Sequence, residues 1–289
     1  MPPDPLLLAD TPWLLYRAFF SLPKSIKGAD GEPVNALLGT VNALLVVVEM
    51  CQPRAVVACF GAEQAAYRVE LYPPYHAHRE AMPPALAAQW LKAPALLESL
   101  GWTVSDSGEF EADDALGSLA AAEAQDGGRA LILSGDRDMF QSVGERVAIL
   151  ELKKGAEPIE VGPAQVRERY GIDPALVPDF IALRGDPSDG LPGAPGIGAK
   201  TAAELLSKHG SLEDILAAAQ NTDSALRPRH SATLLHHAAQ LRSFKQIATL
   251  APMKLDPPAD APTDFARGAA MARELGMKGL AARLEKAAS

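Results

Sequence analysis

A chain of 289 residues with 48% hydrophobic and 22% charged side chains has an ordinary globular composition, and it is long enough to bury a large core and to exceed one typical domain. Two cysteines, Cys51 and Cys59, are too few for a disulfide framework and lack zinc spacing, so buried thiols in a reducing cytoplasm are expected. The net charge of −9 counts against a non-specific nucleic-acid binder unless the acids gather where a cation neutralises them. No uncharged apolar run approaches the roughly 18 residues of a membrane span, and an N-terminal stretch interrupted by Asp4, Asp10 and Arg17 makes a poor signal peptide.

In chain order, Leu6–Asp10 reads as a short buried strand closing on an acid. Asn35 to Cys51 carries apolar residues at helical spacing. Ala55 to Phe60 is an apolar run of strand length closed by Gly61, and helical patterns follow around Ala85–Leu100 and Asp113–Ala124. Arg129 to Asp136 repeats the sequence of apolar strand, glycine and acid, and Val147 to Leu152 is a further strand. Apolar strands alternating with helices predict an α/β fold with a mostly parallel sheet covered on both faces. Ligands of such sheets bind at the carboxyl ends of the strands, where Asp10, Asp136 and Asp138 fall. Beyond Gly162 the strand patterns stop. The expected division is an α/β core over 1–165 and a helical lobe over 166–289, with Pro257 to Thr263 as a connector.

Two motifs carry the chemistry. Glu109-Phe110-Glu111-Ala112-Asp113-Asp114 packs four carboxylates into six residues at the head of an apolar helix. Acids favour a first helical turn anyway. However, Asp10, Asp136, Asp138, Asp186 and Asp189 add further carboxylates at strand ends and beside a turn, which points to one shared site for hard divalent cations. The second motif runs from Gly185 to Ala202, where a Gly- and Pro-rich turn opens a helix at Ala199 that ends at His209 before Gly210. Bare N–H groups and the helix dipole suit a phosphate there, with Lys200 as a nearby charge. The Gly–Lys spacing is not that of a Walker loop, and no strand leads in as a dinucleotide fingerprint requires. Tyr67-Arg68 and Leu71 to Arg79 mix aromatics with cations and read either as a surface loop or as a grip on unpaired bases and phosphate.

In order and spacing these blocks resemble the bacterial 5′-nuclease family, the flap endonucleases and the 5′→3′ exonuclease domains attached to bacterial DNA polymerase I. Leu8-Ala9-Asp10 with Leu15 to Phe19 is similar to the opening block of that family, Glu111 to Asp114 and Gly135 to Asp138 to its central acidic blocks, and residues 185–202 to its helix-three-turn-helix. The resemblance implies a PIN-like core with a helical arch over about 68–95, and a duplex-holding motif over about 183–210. It implies two or more Mg²⁺ or Mn²⁺ ions on Asp10, Glu111, Asp113, Asp114, Asp136, Asp138, Asp186 and Asp189, with Asp114, Asp136 and Asp138 nearest. It further implies potassium on the carbonyls of Leu183, Arg184, Pro192, Ala194 and Ile197. DNA would meet Tyr16, Arg17, Arg68, Tyr75, Gly196, Gly198 and Lys200, and Arg79 would serve both DNA binding and catalysis. The implied activity is hydrolysis of DNA at 5′ ends, flaps or nicks, with RNA-containing flaps among the candidate substrates, by a free-standing, cytoplasmic, monomeric enzyme. Two departures stand out: Gly61 follows Phe60 where the family has an acid, and His76 replaces a lysine. They motivate one rival, a DNA-binding protein with a weakened site. A PIN-type metal-dependent RNase is the other rival, against which the glycine-rich hairpin argues.

Overall fold

The computed structural model describes residues 4–153, 157–221 and 226–289. Six strands form one sheet in the order β3-β2-β1-β4-β5-β6, namely β1 (Leu6–Asp10), β2 (Ala55–Phe60), β3 (Thr103–Asp106), β4 (Ala130–Leu133), β5 (Val147–Glu151) and β6 (Ile159–Val161). The first five are parallel, and β6 runs antiparallel to β5. Alternate residues of a strand face opposite sides. Leu6 and Leu8 therefore join one apolar cluster while Leu7 and Ala9 join another. Burial on both faces is why β1, β2 and β4 read as unbroken apolar runs.

Helices α1 (Thr11–Ser21), α2 (Asn35–Cys51) and α4 (Pro84–Ser99) cover the Leu7 face, and α5 (Ala112–Gln125) covers the Leu6 face. The cluster under α5 continues into α6 (Pro163–Tyr170), α7 (Val177–Arg184), α8 (Ala199–His209), α9 (Leu212–Gln220), α10 (Pro228–His236) and α11 (Ala238–Ala248), so this helical lobe shares a core with the sheet. The last two helices, α12 (Phe265–Glu274) and α13 (Lys278–Ala288), do not belong to it. Ala269, Ala272, Leu280 and Leu284 pack in the opposite cluster with Leu14, Leu44 and Leu100. The connector is tied down on the way, since Ala261 N donates to Arg54 O at 2.8 Å and Arg54 Nη1 to Pro258 O at 2.7 Å. The helical lobe expected over 166–289 thus ends near Ala248, and the chain returns to the core.

The arch expected over about 68–95 is not one element. α3 (Ala66–Leu71) stops, residues 73–78 form turns and 79–83 are irregular, and α4 starts at Pro84 with Leu86, Ala93, Leu96 and Leu97 buried against the core. Pro83-Pro84 cannot continue a helix but suits the start of one. Among the described residues no helix is long and apolar enough to cross a membrane.

Candidate active site

The carboxyl ends of the parallel strands share one edge of the sheet, and the strand order reverses between β1 and β4, which opens a crevice. Asp10 ends β1 and caps α1, its Oδ1 accepting from Trp13 N at 3.0 Å. Its Oδ2 accepts from the Ser134 hydroxyl at 2.6 Å. Ser134, fully buried past β4, accepts from Asp136 N at 3.0 Å, and Asp136 Oδ1 accepts from Asp138 N at 2.9 Å. One serine thus ties acids from two strands together. In the sequence its only signal is a lone hydroxyl between an apolar strand and Gly135-Asp136. Gly135 is required here, because a Cβ would run into the Trp13 indole.

Asp10, Glu111, Asp113, Asp136, Asp138 and Asp189 line one cavity of about 590 Å³. Glu111 caps α5 and Asp113 lies in its first turn. Asp189 arrives from the turn after α7. Burial, reinforced by neighbouring carboxylates, pushes Asp136 up to about 7 and holds Asp113 and Asp138 well above the usual carboxylate range. Burial alone pushes Asp10 up to about 6 against the pull of its two hydrogen bonds. Among the described residues no three acids draw together into a single-ion cage; they ring the cavity, as mutual repulsion favours.

Other expected residues fall elsewhere. Asp114, expected among the nearest ligands, is fully buried behind the cavity and both its oxygens are occupied. They accept from Arg68 Nη2 at 2.7 Å, Arg68 Nη1 at 2.9 Å, Ala251 N at 2.7 Å and Glu111 N at 3.2 Å. Arg68 is only 3% exposed and meets the cavity from within its wall, so it stands there as a buried partner of Asp114 and not on the outer surface. Tyr75 is buried as well, stacked on His76 and donating its hydroxyl to Glu111 Oε2 at 3.0 Å. Its ring therefore belongs to the cavity wall and not to an outer surface loop. His76 is no free cation of an arch: its Nε2 lies 3.0 Å from Asp189 Oδ1, which also accepts from Arg79 Nη2 at 3.1 Å. Asp186 is turned into its own hairpin, where its Oδ1 accepts from Ser188 N at 2.8 Å. Of the five carbonyls expected to hold potassium, those of Leu183 and Ala194 already accept from Ala194 N and Ile197 N.

Tyr16 and exposed Arg79 sit on the cavity wall. Arg17 stands on α1 outside that wall, its guanidinium 5.7 Å from the ring centroid of Trp13, which does line the cavity. Gly196, Gly198 and Lys200 are exposed at the start of α8. At the first departure, a Cβ on Gly61 would run into Ser107 Oγ and lie 2.6 Å from Ala112 N and Phe110 O, so no acid fits there. Glu63, two residues on, lines the same cavity and accepts from the Tyr16 hydroxyl at 2.8 Å.

Comparison with known proteins agrees with this layout. Residues 5–171 match the model of the 5′-3′ exonuclease N-terminal resolvase-like domain, and residues 172–266 match that of the 5′-3′ exonuclease C-terminal SAM fold. A 5′-3′ exonuclease of Mycobacterium tuberculosis is 37% identical over 98% of both chains, and one of Streptomyces coelicolor is 38% identical over 85% of both. A thermostable DNA polymerase I of Thermus thermophilus is 36% identical over 99% of this chain but only 32% of its own length. Among solved structures, a bacteriophage T5 flap endonuclease complex with DNA and metal ions superposes with a TM-score of 0.68 at 17% identity, covering 97% of this chain and 98% of that one. The catalytic core of Rad2 with DNA substrate gives 0.65 at 11% identity, covering 98% and 93%; at such identities the likeness is one of fold. Matched along both its sheet and its helical lobe, the chain belongs to the 5′-3′ exonuclease family.

Proposed function

We propose that the chain is a divalent-metal-dependent 5′→3′ exonuclease and flap endonuclease that hydrolyses DNA phosphodiesters at 5′ ends, flaps and nicks. The observation that carries this is the ring of acids at the crevice, four of them with raised proton affinity, in a chain of this family. Carboxylates that repel one another at neutral pH fit hard, oxygen-seeking cations, Mg²⁺ or Mn²⁺. Asp10, Asp113, Asp136, Asp138 and Asp189 would hold them, with Glu111 beside and Asp186 behind. When bound, such ions supply Lewis-acid polarisation and charge neutralisation at the scissile phosphate.

The protein's own groups do the rest. Arg79 and Tyr16 on the cavity wall, with Arg17 next to Tyr16 on α1, orient an incoming strand through its phosphates. The exposed start of α8 offers N–H groups, the helix dipole and Lys200 to a duplex phosphate, with potassium on the hairpin carbonyls as a further charge. Such contacts ignore base identity, so substrate choice follows strand structure, and RNA-containing flaps are within reach. The enzyme acts as a cytoplasmic monomer. Incubation with a labelled 5′-flap duplex in Mg²⁺, in Mn²⁺ and in EDTA tests the reading. Short 5′-phosphorylated products should form only with metal. Cleavage undiminished in EDTA, or a preference for single-stranded RNA without a flap, overturns it.

A further inference from the structure

Arg68 and Asp114 are almost wholly withdrawn from solvent, at 3% and 0% exposure. The bidentate pair between them joins three parts of the chain. Arg68 stands on α3 and also donates from Nε to Ile247 O at 3.0 Å, while its Nη1 lies 3.4 Å from Glu111 Oε2. Asp114 sits in the first turn of α5 and receives Glu111 N and, from beyond α11, Ala251 N. Glu111 is held from its other side by Ala65 N at 2.8 Å and by the Tyr75 hydroxyl.

From these contacts we infer that Arg68 and Asp114 form a positioning clamp. Neither touches DNA or the ions; together they fix the start of α5, and with it the Glu111 and Asp113 carboxylates, against the lobe that holds duplex. The inference rests on the divalent-ion reading above. The fork of an arginine suits this task because it engages both oxygens of Asp114 and still reaches Glu111. It also has an electrostatic consequence. With Asp114 removed, the whole Arg68 charge bears on Glu111 and opposes a cation in the cavity. With both removed and replaced by apolar side chains of similar volume, packing survives without a buried unpaired charge.

A Mn²⁺ titration by calorimetry on the full chain, without DNA, separates the roles. Asp114→Leu and Arg68→Met should each weaken Mn²⁺ binding by roughly tenfold or more, and the double variant should be about as weak as the weaker single, the non-additivity expected of contacting residues that act as one unit. An Arg68→Met variant that binds Mn²⁺ as tightly as the parent or more tightly, with only Asp114→Leu impaired, makes Asp114 a ligand and overturns the clamp. Should the double variant fail to melt cooperatively, Arg68→Lys decides, since it keeps the charge and loses the fork. The clamp requires lower kcat and weaker Mn²⁺ binding with KM for flap DNA and its salt dependence unchanged. A raised KM with a flatter salt dependence returns Arg68 to the DNA and refutes the inference. Asp136→Asn serves as the control: an unaltered Mn²⁺ isotherm there removes the divalent-ion reading, and the clamp falls with it.

Discussion

Asp10→Asn probes the electrostatics of the cavity with almost no change of shape. Asp10 is 4% exposed, and burial raises its carboxyl from 3.8 to about 6. At about 1.4 kcal/mol per pKa unit, ionising it disfavours the folded metal-free chain by roughly 3 kcal/mol. Because the folded pKa is the higher one, the unfolded chain releases its proton first as pH rises. The penalty is absent below about pH 3, grows between about pH 3 and 6, and is complete above about pH 7. Asparagine stays neutral and still accepts from Trp13 N, but it loses the acceptor for the Ser134 hydroxyl at a cost of about 1 kcal/mol. In EDTA the variant should therefore be about 2 kcal/mol more stable than the parent at pH 8 and about 1 kcal/mol less stable at pH 3. Urea unfolding at the two pH values reads both signs. Mg²⁺ at pH 8 should restore the parent by mass action and stabilise the variant less, since one of its ligands is gone, leaving it with little activity. A variant less stable than the parent at pH 8 in EDTA, or a stability difference that ignores pH, refutes the reasoning.

The remaining expectations concern neighbouring parts of the site. Asp136→Ala should abolish flap cleavage while largely sparing DNA binding; normal turnover at saturating metal counts against the ligand set. Gly61→Ala, whose Cβ meets Ser107 and the backbone of Phe110 and Ala112, should destabilise by roughly 1–3 kcal/mol through overpacking. An unchanged melting midpoint would mean that the 107–112 segment yields freely. Lys200→Ala should weaken duplex binding to the same degree across sequences and lower the salt slope by about one, whereas a loss confined to some sequences argues for base contact instead.

Legibility in the sequence followed burial. β1 and β2 were readable to the residue because each is buried on both faces and bounded by polar or glycine residues. β3 (Thr103-Val104-Ser105-Asp106) and the three-residue β6 were not. Both are short edge strands with polar faces, and their pairing depends on neighbours that no local pattern displays. The convergence of Asp10, Asp136 and Asp138 was readable because strand ends share one edge. The role of Asp114 was not, since its partner Arg68 stands 46 residues away on another helix. Tyr75 and His76 read as an exposed aromatic-cation loop, yet Glu111 and Asp189 supply partners that allow both to be buried. α12 and α13 carry the same kind of apolar stripe as the helices of the lobe, and the stripe does not say which face of the sheet it covers.

Gly61 illustrates how a departure from a family pattern has to be weighed in three dimensions. Read along the chain, a glycine in place of an acid removes one negative charge from the site and suggests a weakened enzyme. In the fold the segment 107–112 closes over that position, with the Ser107 hydroxyl donating to Phe60 O at 3.0 Å and Ala62 N to Phe110 O at 2.9 Å. An acid there would have to displace the loop that carries Glu111 into the cavity. Glu63 meanwhile lines the same cavity, oriented by Tyr16. The cavity therefore keeps a carboxylate from the β2 loop at a different backbone position, and the glycine reads as a condition for close packing of the 107–112 segment, which is no ground for expecting a degraded site.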